Sequence, residues 1–206
     1  MKVKVCGLND SKNIGQLQSL GLDFMGFIFY EKSKRSIYHG DFNLELSNSL
    51  SEVKKVGVFV DSPLDAVFEA AKGYQLDYVQ LHGEESPKYC QSVKANGLKV
   101  IKAISVSNEM PNDNLISYES CVDLFLFDTS GKDKGGNGIK FDWKILEGYQ
   151  MDIPFLLAGG ISLEDAVEIK RLNIKGLYGV DLNSKFELEP GVKAIDKVKQ
   201  FIKDIK

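Results

Sequence analysis

The sequence predicts a single α/β domain over residues 1–206, folded as a (βα)8 barrel of the TIM type with short loops. Three observations lead to this prediction. Eight short apolar runs recur along the chain, each is followed by turn residues, and most then lead into a helical pattern. Alternating strands and helices are typical of a parallel sheet, and eight such units close into a barrel. Because 206 residues are few for this fold, the loops must be short.

The eight runs predict strands that are buried on both faces. They are apolar along most of their length rather than alternating, as expected where crossover helices cover a parallel sheet. A doubly wound open sheet is the structural alternative, but no GxGxxG motif follows the first run. The predicted strands are residues 2–6, 24–29, 55–60, 77–81, 99–104, 123–128, 154–159 and 176–181.

Helical periodicity fills most of the segments between these runs. Residues 10–20 and 194–205 place apolar residues three or four positions apart, which predicts a first and a last helix. Residues 41–51 are poorly patterned, and residues 143–146 leave space for only a short helix. The segments after the second and the sixth strand are therefore the weakest parts of the barrel prediction.

Three capping signals mark further helix starts. Ser62-Pro63 and Ser86-Pro87 each place an N-cap serine before a proline at the first helical position. Ser162 with Asp165 resembles a capping box, in which each residue satisfies a backbone N–H of the other. These signals predict helices that begin directly after each pair.

Charge and cysteine content exclude several kinds of partner. A net charge of −3 provides no basic field for nucleic acid or a membrane surface. Cys6, Cys90 and Cys121 are odd in number and widely spaced, and the chain has only two histidines, so neither a disulfide framework nor a structural zinc site is expected. Cys90 and Cys121 are predicted to be small buried apolar residues.

The amino terminus indicates no targeting segment. Lys2 and Lys4 are not followed by the apolar region of a signal peptide, and the longest apolar stretch, residues 24–30, is too short to span a bilayer. A reducing cytoplasm is the predicted location.

Reactive groups of a barrel lie where its strands end, and two such positions carry acid–base candidates. Cys6 ends the first strand and meets Gly7, whose missing side chain would leave space for a substrate beside the thiol. By itself a cysteine there more often packs than reacts. Asp128 emerges from a hydrophobic strand, which suits a general acid. The alternative for Asp128 is a helix cap or a salt bridge to Lys102 or Lys132.

The ends of the seventh and eighth strands predict a phosphate site. Gly159 and Gly160 in "LLAGGIS" let backbone N–H groups approach an anion, and the next helix would add its positive end. Asn183 and Ser184 in "GVDLNSKFE" can donate to phosphate oxygens, and the segment after them could open a short extra helix. Loops after these two strands often hold phosphate in barrels, whereas the simpler interpretation is two tight turns.

Other strand ends supply polar side chains for a pocket. Arg35, one of only two arginines, could hold a substrate carboxylate through two hydrogen bonds, although a charged loop is more often a solvated surface. Gln80, His82 and Asp181 are candidates for the pocket wall. The glycine-rich loop 131–138 is a candidate lid, with a plain surface loop as the alternative.

Seven segments together resemble one family. The segments are "KVCGL", "GFIF…SKRS", "VGVFVD", "VQLHGEE", "FDTSGKDKGGNGIKFDW", "LLAGGIS" and "GVDLNSKFELEPGVK". Each is unspecific alone, but the set, in this order from the first strand to the last helix, resembles phosphoribosylanthranilate isomerase. The resemblance implies a (βα)8 barrel that converts N-(5′-phosphoribosyl)anthranilate to 1-(2-carboxyphenylamino)-1-deoxyribulose 5-phosphate in tryptophan biosynthesis. This Amadori rearrangement needs a small phosphosugar substrate and neither a metal nor an organic cofactor.

The resemblance also implies roles for single residues. Cys6 matches the family's general base, Asp128 its general acid, and Arg35 the arginine that faces the anthranilate carboxylate. The residues that match its phosphate site are Gly159, Gly160, Asn183 and Ser184. The remaining pocket residues are Asp181, which matches an aspartate near the sugar hydroxyls, Gln80 and His82.

The sequence departs from the family pattern at a few positions. Lys34 stands where a proline commonly precedes the arginine, and Asn183 and Lys185-Phe186 stand where serine and Gly-Val are usual. The last change puts the geometry of the phosphate turn in doubt. None of these changes removes the acid, the base or the arginine.

The residues alone leave two other functions open. One is a barrel lyase or aldolase that forms a Schiff base through Lys102, which borohydride trapping would detect. The other is a phosphosugar-binding barrel without catalysis, which would bind ligand without isomerising it. The chain is expected to act as a monomer or a homodimer.

Overall fold

Eight parallel strands form a closed barrel in which each strand hydrogen-bonds to the next, and the eighth pairs with the first. The structure is a computed structural model and describes residues 1–129 and 142–206. The strands are β1 Lys2–Cys6, β2 Phe24–Ile28, β3 Lys54–Phe59, β4 Tyr78–Leu81, β5 Lys99–Val106, β6 Leu124–Thr129, β7 Phe155–Leu157 and β8 Leu177–Leu182. The predicted barrel and all eight of its strands are confirmed.

Helices connect most of the strands on the outside of the barrel. They are α1 Ser11–Gln18, α2 Leu44–Ser49, α3 Leu64–Gly73, α4 Pro87–Ala95, α5 Asn112–Ile116, α6 Ala166–Arg171 and α7 Ile195–Ile205. The short helix expected after β6 is a 3-10 helix, Trp143–Gly148. Two elements were not anticipated: α5, and a hairpin of β9 Glu187–Glu189 with β10 Val192–Lys193. Within the described ranges, no helix has the length and apolar character needed to cross a membrane.

Two apolar cores hold the barrel together. The larger lies between the strands and the helices, and it contains both Cys90 and Cys121, as predicted. The smaller fills the barrel interior with side chains from β2 to β7, which are Phe24, Val56, Ile101, Leu124, Leu126, Leu156 and Ala158. On the β1 and β8 side, the interior instead holds the ion pair of Lys4 and Asp181. A charged pair therefore occupies a position that an apolar layer would ordinarily fill.

The predicted caps differ in outcome. Ser86 caps α4 by accepting the backbone N–H of Tyr89, and the Asp165 carboxylate accepts from the Ser162 N–H, although this pair starts a 3-10 turn before α6. The cap expected at Ser62 is wrong. Helix α3 begins at Leu64 with Pro63 at the N-cap position, so Ser62 lies one residue too early to cap it and this helix has no side-chain cap.

Replacing the serine that caps a helix should cost more stability than replacing the one that does not. We expect Ser86→Ala to lower the free energy of unfolding by about 1 kcal/mol, because the Tyr89 N–H loses its acceptor. The matched change Ser62→Ala should stay within about 0.5 kcal/mol of the unmodified protein. Urea unfolding followed by circular dichroism measures both. Equal losses in the two variants would contradict the capping assignment.

Candidate active site

One pocket opens at the carboxyl ends of the strands, and its volume is about 700 Å³ when the solvent at its open mouth is included. All of the predicted site residues except Arg35 line it. These are Cys6, Gln80, His82, Asp128, Gly159, Gly160, Asp181, Asn183 and Ser184. Apolar side chains such as Ile28 and Val58 complete the wall. Residues far apart in sequence are brought together because they lie at the carboxyl ends of β1, β4, β6, β7 and β8 of one closed barrel.

Cys6 lies at the bottom of this pocket and is only 4% exposed. Its sulfur packs against Gly26 on β2, where a Cβ atom would lie 2.7 Å from Sγ. Burial raises the pKa of the thiol, and the ammonium groups of Lys4 and Lys193 oppose that rise. The thiol thus faces a closed, low-dielectric site in which nearby charges control its ionisation.

Two charged residues form a buried ion pair next to Cys6. The Lys4 Nζ lies 2.9 Å from Oδ2 of Asp181, with side-chain exposures of 0% and 8%. The other carboxylate oxygen, Oδ1, is buried and has no hydrogen-bond partner among the described residues. Since Asp181 lines the pocket, that oxygen is available to accept a hydrogen bond from a ligand hydroxyl. Lys4 was not among the predicted site residues.

Asp128 lies near the carboxyl end of β6, next to His82. Its Oδ1 accepts the Thr129 N–H at 2.8 Å, and its Oδ2 lies 3.5 Å from Nε2 of His82. The Gln80 amide nitrogen lies 2.9 Å from Nδ1 of the same ring and donates to it, which assigns the ring proton to Nε2. Asp128 thus receives a polar N–H from the side while its carboxyl group faces the pocket.

The alternative roles for Asp128 are not seen among the described residues. Lys102 pairs instead with Glu85 at 3.1 Å and with the carbonyl groups of Leu81, Gly83 and Ala103. It faces the helix layer, whereas its neighbours Ile101 and Ala103 face the barrel interior. Lys102 is therefore placed outside the pocket, where it could not form a Schiff base with a ligand. Lys132 and the glycine-rich loop 131–138 lie outside the described residues.

Two successive glycines form the wall next to β8. Gly159 and Gly160 have φ angles of +89° and +65°, and within residues 1–129 and 142–206 neither backbone N–H has an acceptor. A Cβ atom at Gly159 would overlap Oγ1 of Thr129. These free N–H groups suit an anion. The expected helix end does not lie directly behind them, because a 3-10 turn, Leu163–Asp165, comes between the glycines and α6.

The short helix expected after β8 is a single 3-10 turn. Asn183 and Ser184 line the pocket, and a single 3-10 turn, Ser184–Phe186, leads into β9. The carbonyl oxygen of the Asn183 side chain accepts from Lys193 Nζ at 2.8 Å. This contact leaves the amide NH2 of Asn183 as the donor for a ligand.

Arg35 is held beside the pocket by a carboxylate that sequence reasoning missed. Its Nε and Nη2 each donate to Glu187 at 2.8 Å, and Lys193 lies 2.7 Å from the same carboxylate. Burial would raise the pKa of Glu187, but these two cations hold it below the usual value. The segments "GVDLNSKFE" and "GVDLNSKFELEPGVK" pointed to this region but not to this contact, since pairing across 152 residues leaves no local signal.

The space at Gly7 has a different use from the predicted one. Gly7 adopts a φ of +76°, and a Cβ atom would lie 2.8 Å from Cδ of Arg35 and 3.0 Å from Oδ1 of Asn183. Protein side chains, not a substrate, occupy the space that the missing side chain leaves. The prediction of a substrate space at Gly7 was wrong, because the sequence did not show that Arg35 folds over β1.

The described residues contain no group of three His, Cys, Asp or Glu side chains that could hold a metal ion. The chemistry available in the pocket is that of a thiol, two carboxylates and an imidazole, and the buried ammonium groups of Lys4 and Lys193 lie close to the thiol. This set is suited to moving protons on a small anionic ligand.

Comparisons with known proteins agree with this geometry. Residues 3–204 match the family model for N-(5′-phosphoribosyl)anthranilate (PRA) isomerase. The chain is 44% identical to the N-(5′-phosphoribosyl)anthranilate isomerase of Parabacteroides distasonis, covering 100% of this chain and 93% of that protein. It resembles a structure of monomers of the dimeric isomerase from Thermotoga maritima, with a TM-score of 0.80, 31% identity and coverage of 100% and 98%. A phosphoribosyl anthranilate isomerase in complex with reduced 1-(o-carboxyphenylamino)-1-deoxyribulose 5-phosphate gives a TM-score of 0.78, 30% identity and the same coverage.

Proposed function

The chain belongs to the N-(5′-phosphoribosyl)anthranilate isomerase family, and on this premise we propose which residues carry the reaction. It is an isomerase of tryptophan biosynthesis that catalyses the Amadori rearrangement of N-(5′-phosphoribosyl)anthranilate to 1-(2-carboxyphenylamino)-1-deoxyribulose 5-phosphate. The observation that carries the proposal is the presence of Cys6 and Asp128 in one pocket at the carboxyl ends of β1 and β6. They act as general base and general acid.

The first step opens the ribose ring. Asp128 in its protonated form donates a proton to the ring oxygen as the bond from that oxygen to C1 breaks. The anthranilate nitrogen supplies the electron pair that forms a C1–N double bond, which gives an iminium ion. The N–H of His82, 3.5 Å from the carboxyl group, favours the carboxylate that remains.

The second step removes the proton from C2. That proton is acidic because its electron pair can move toward the iminium nitrogen. The Cys6 thiolate takes the proton, and the resulting enolamine tautomerises to the ketone. The free carboxylate oxygen of Asp181 lies in the same pocket, where we propose that it accepts a hydrogen bond from a sugar hydroxyl.

The two ends of the substrate need separate anion sites. We propose that the phosphate binds the N–H groups of Gly159 and Gly160 with Asn183 and Ser184, because these donors lie on adjacent strand ends. For the carboxylate of the anthranilate we propose Arg35, which keeps an Nη1 group beyond its two bonds to Glu187.

Substituting one glycine should test the phosphate site. We expect Gly159→Ala to raise KM about 10- to 100-fold, the loss of one charge-assisted hydrogen bond, because a Cβ atom meets Thr129 and shifts the N–H groups. Gly97→Ala is the matched control, since Gly97 has a similar φ of +84° with no atom within 4 Å of a Cβ. Steady-state kinetics with inorganic phosphate as competitor measures both. An unchanged inhibition constant for phosphate in Gly159→Ala would contradict this site.

The setting of the enzyme is also part of the proposal. We propose that residues 1–206 form one catalytic domain that acts in the cytoplasm on a small phosphosugar, as a monomer or a homodimer, without nucleic acid. The net charge of −3 and three free buried cysteines support this setting. No cofactor or metal enters the proposed steps.

A direct assay tests the function. Purified protein is added to freshly generated N-(5′-phosphoribosyl)anthranilate, and the loss of its anthranilate fluorescence is followed over time. We expect loss that is proportional to enzyme concentration and that saturates with substrate. Binding of the substrate without fluorescence loss at any pH would instead favour a phosphosugar-binding barrel.

A further inference from the structure

Lys4 is fully buried inside the barrel, where the proposed reaction gives it no part. It belongs to β1, and its strand neighbour in the register of β8 is Asp181. An ammonium group is retained in a protein interior only when negative or polar partners compensate the lost water. The partners of the Lys4 ammonium group therefore indicate its role.

The hydrogen bonds of Lys4 are incomplete. An ammonium group has three N–H donors. The Lys4 Nζ donates to Asp181 Oδ2 at 2.9 Å, and the further side-chain hydrogen bond of Lys4 is with the Cys6 thiol. Lys102 provides a contrast in the same barrel, since its ammonium reaches Glu85 and three carbonyl oxygens. Lys102 is thus saturated by groups outside the pocket, whereas Lys4 has one oxygen acceptor and reaches the thiol of Cys6.

Cys6 is the group that these donors can serve. Residues two apart on a strand project to the same face, so Lys4 and Cys6 both point into the barrel from β1. We propose that Lys4 is a positioning residue whose ammonium group is the counter-ion of the Cys6 thiolate in the isomerase reaction. This inference rests on the proposed role of Cys6 as the base.

The charges around Cys6 predict the direction in which each substitution changes the ionisation of the thiol. Lys4 and Asp181 neutralise each other, so ionisation of the thiol adds one negative charge to the site. Removing the cation should disfavour the thiolate, and removing the anion should favour it. The charged and titratable groups that face Cys6 are Lys4 on β1, Asp181 on β8 and Lys193 on β10, with Arg35 over Gly7 and with His82 and Asp128 in the wall of the same pocket.

The pKa directions agree with this prediction. Burial raises the pKa of Cys6, while Lys4 and Lys193 counteract the rise. Burial would lower the pKa of Lys4, but Asp181 and Cys6 raise it above the ordinary value, so the ammonium stays charged. A cation that stays charged beside a cysteine stabilises the thiolate form of that cysteine.

Thiol reactivity tests the proposal without relying on turnover. Carbamidomethylation of Cys6 by iodoacetamide is measured from pH 6 to 11, with the modified peptide quantified by mass spectrometry. We expect Lys4→Met to move the midpoint upward by about one pH unit or more, which is a tenfold slower reaction at a fixed pH below the midpoint. Asp181→Asn should move the midpoint of the Cys6 reaction downward. Lys102→Met is the control, because Lys102 is as buried as Lys4 but faces the helix layer outside the barrel, and it should leave the midpoint unchanged.

Two further variants keep the test decisive if Lys4→Met does not fold. Lys4→Arg retains the cation and should retain the midpoint. The double variant Lys4→Met/Asp181→Asn removes both charges, which folds more readily than one unpaired charge, and its midpoint should lie above that of Asp181→Asn. Shifts in the same direction for Lys4→Met and Asp181→Asn, or equal midpoints for the double variant and Asp181→Asn, would overturn the proposal. Because no substrate is used, failure of this test is distinct from failure of the isomerase assignment.

Discussion

Replacing Cys6 by serine is expected to lower kcat about 10²- to 10⁴-fold, the range that general base catalysis contributes. A serine hydroxyl at the same position scarcely ionises near neutral pH, so it cannot take the C2 proton. KM should change little, because the substrate anions are held elsewhere in the pocket. The fluorescence assay gives kcat and KM, and near-ultraviolet circular dichroism verifies that the fold is retained.

Cys90→Ser is the control for this prediction. Cys90 is equally buried, but it lies in α4 between the barrel and the helices and not in the pocket. The kcat of Cys90→Ser should remain within about twofold of that of the unmodified enzyme even if some stability is lost. Substitutions away from the site mainly change the free energy of unfolding. Full activity in Cys6→Ser would refute the assignment of the base.

The second large effect is expected at Asp128. Asp128→Asn keeps the shape of the side chain and removes the acidic proton, so ring opening should slow and kcat should fall about 10²- to 10⁴-fold. The loss should persist at low pH, where a carboxyl group would be protonated and a carboxamide gains no such proton. A kcat–pH profile of the variant and the unmodified enzyme measures this difference.

Asp123→Asn, next to the start of the same strand, is the matched control. Asp123 lies just before β6 at the opposite end of the barrel, where it accepts from Lys94 and from the Val100 N–H. Its replacement should reduce stability without a comparable loss of kcat. Equal activity losses in the two variants would indicate damage to β6 rather than removal of a general acid.

The barrel was predictable because its signals are local. Apolar runs for β1 to β8 and the Ser86-Pro87 cap each depend on residues that are close in sequence. The hairpin β9–β10 and helix α5 were missed, because these segments are short and mostly polar and so contain no apolar run. Strand ends also predicted nearly all of the pocket, since chain order alone sets which end of a parallel strand faces it.

The interactions that tune the site were not predictable in this way. In "KVKVC" the alternation of lysine and valine would place Lys4 in solvent, and only closure of the barrel by β8 buries it against Asp181. The pairing of Arg35 with Glu187 likewise depends on how β9 folds back over the chain. Such contacts join distant parts of the sequence, and no composition or spacing indicates them.

The pairing of β1 with β8 has a consequence for how the chain folds during its synthesis. Cys6 is synthesised before β2 to β7, whereas Asp181 and Lys193, which share its surroundings, follow those strands in the chain. Until β8 leaves the exit tunnel, the strand that carries Asp181 cannot pair with β1. The thiol therefore acquires these charged neighbours only when β8 and β10 fold against the rest of the barrel, after the intervening strands have been made.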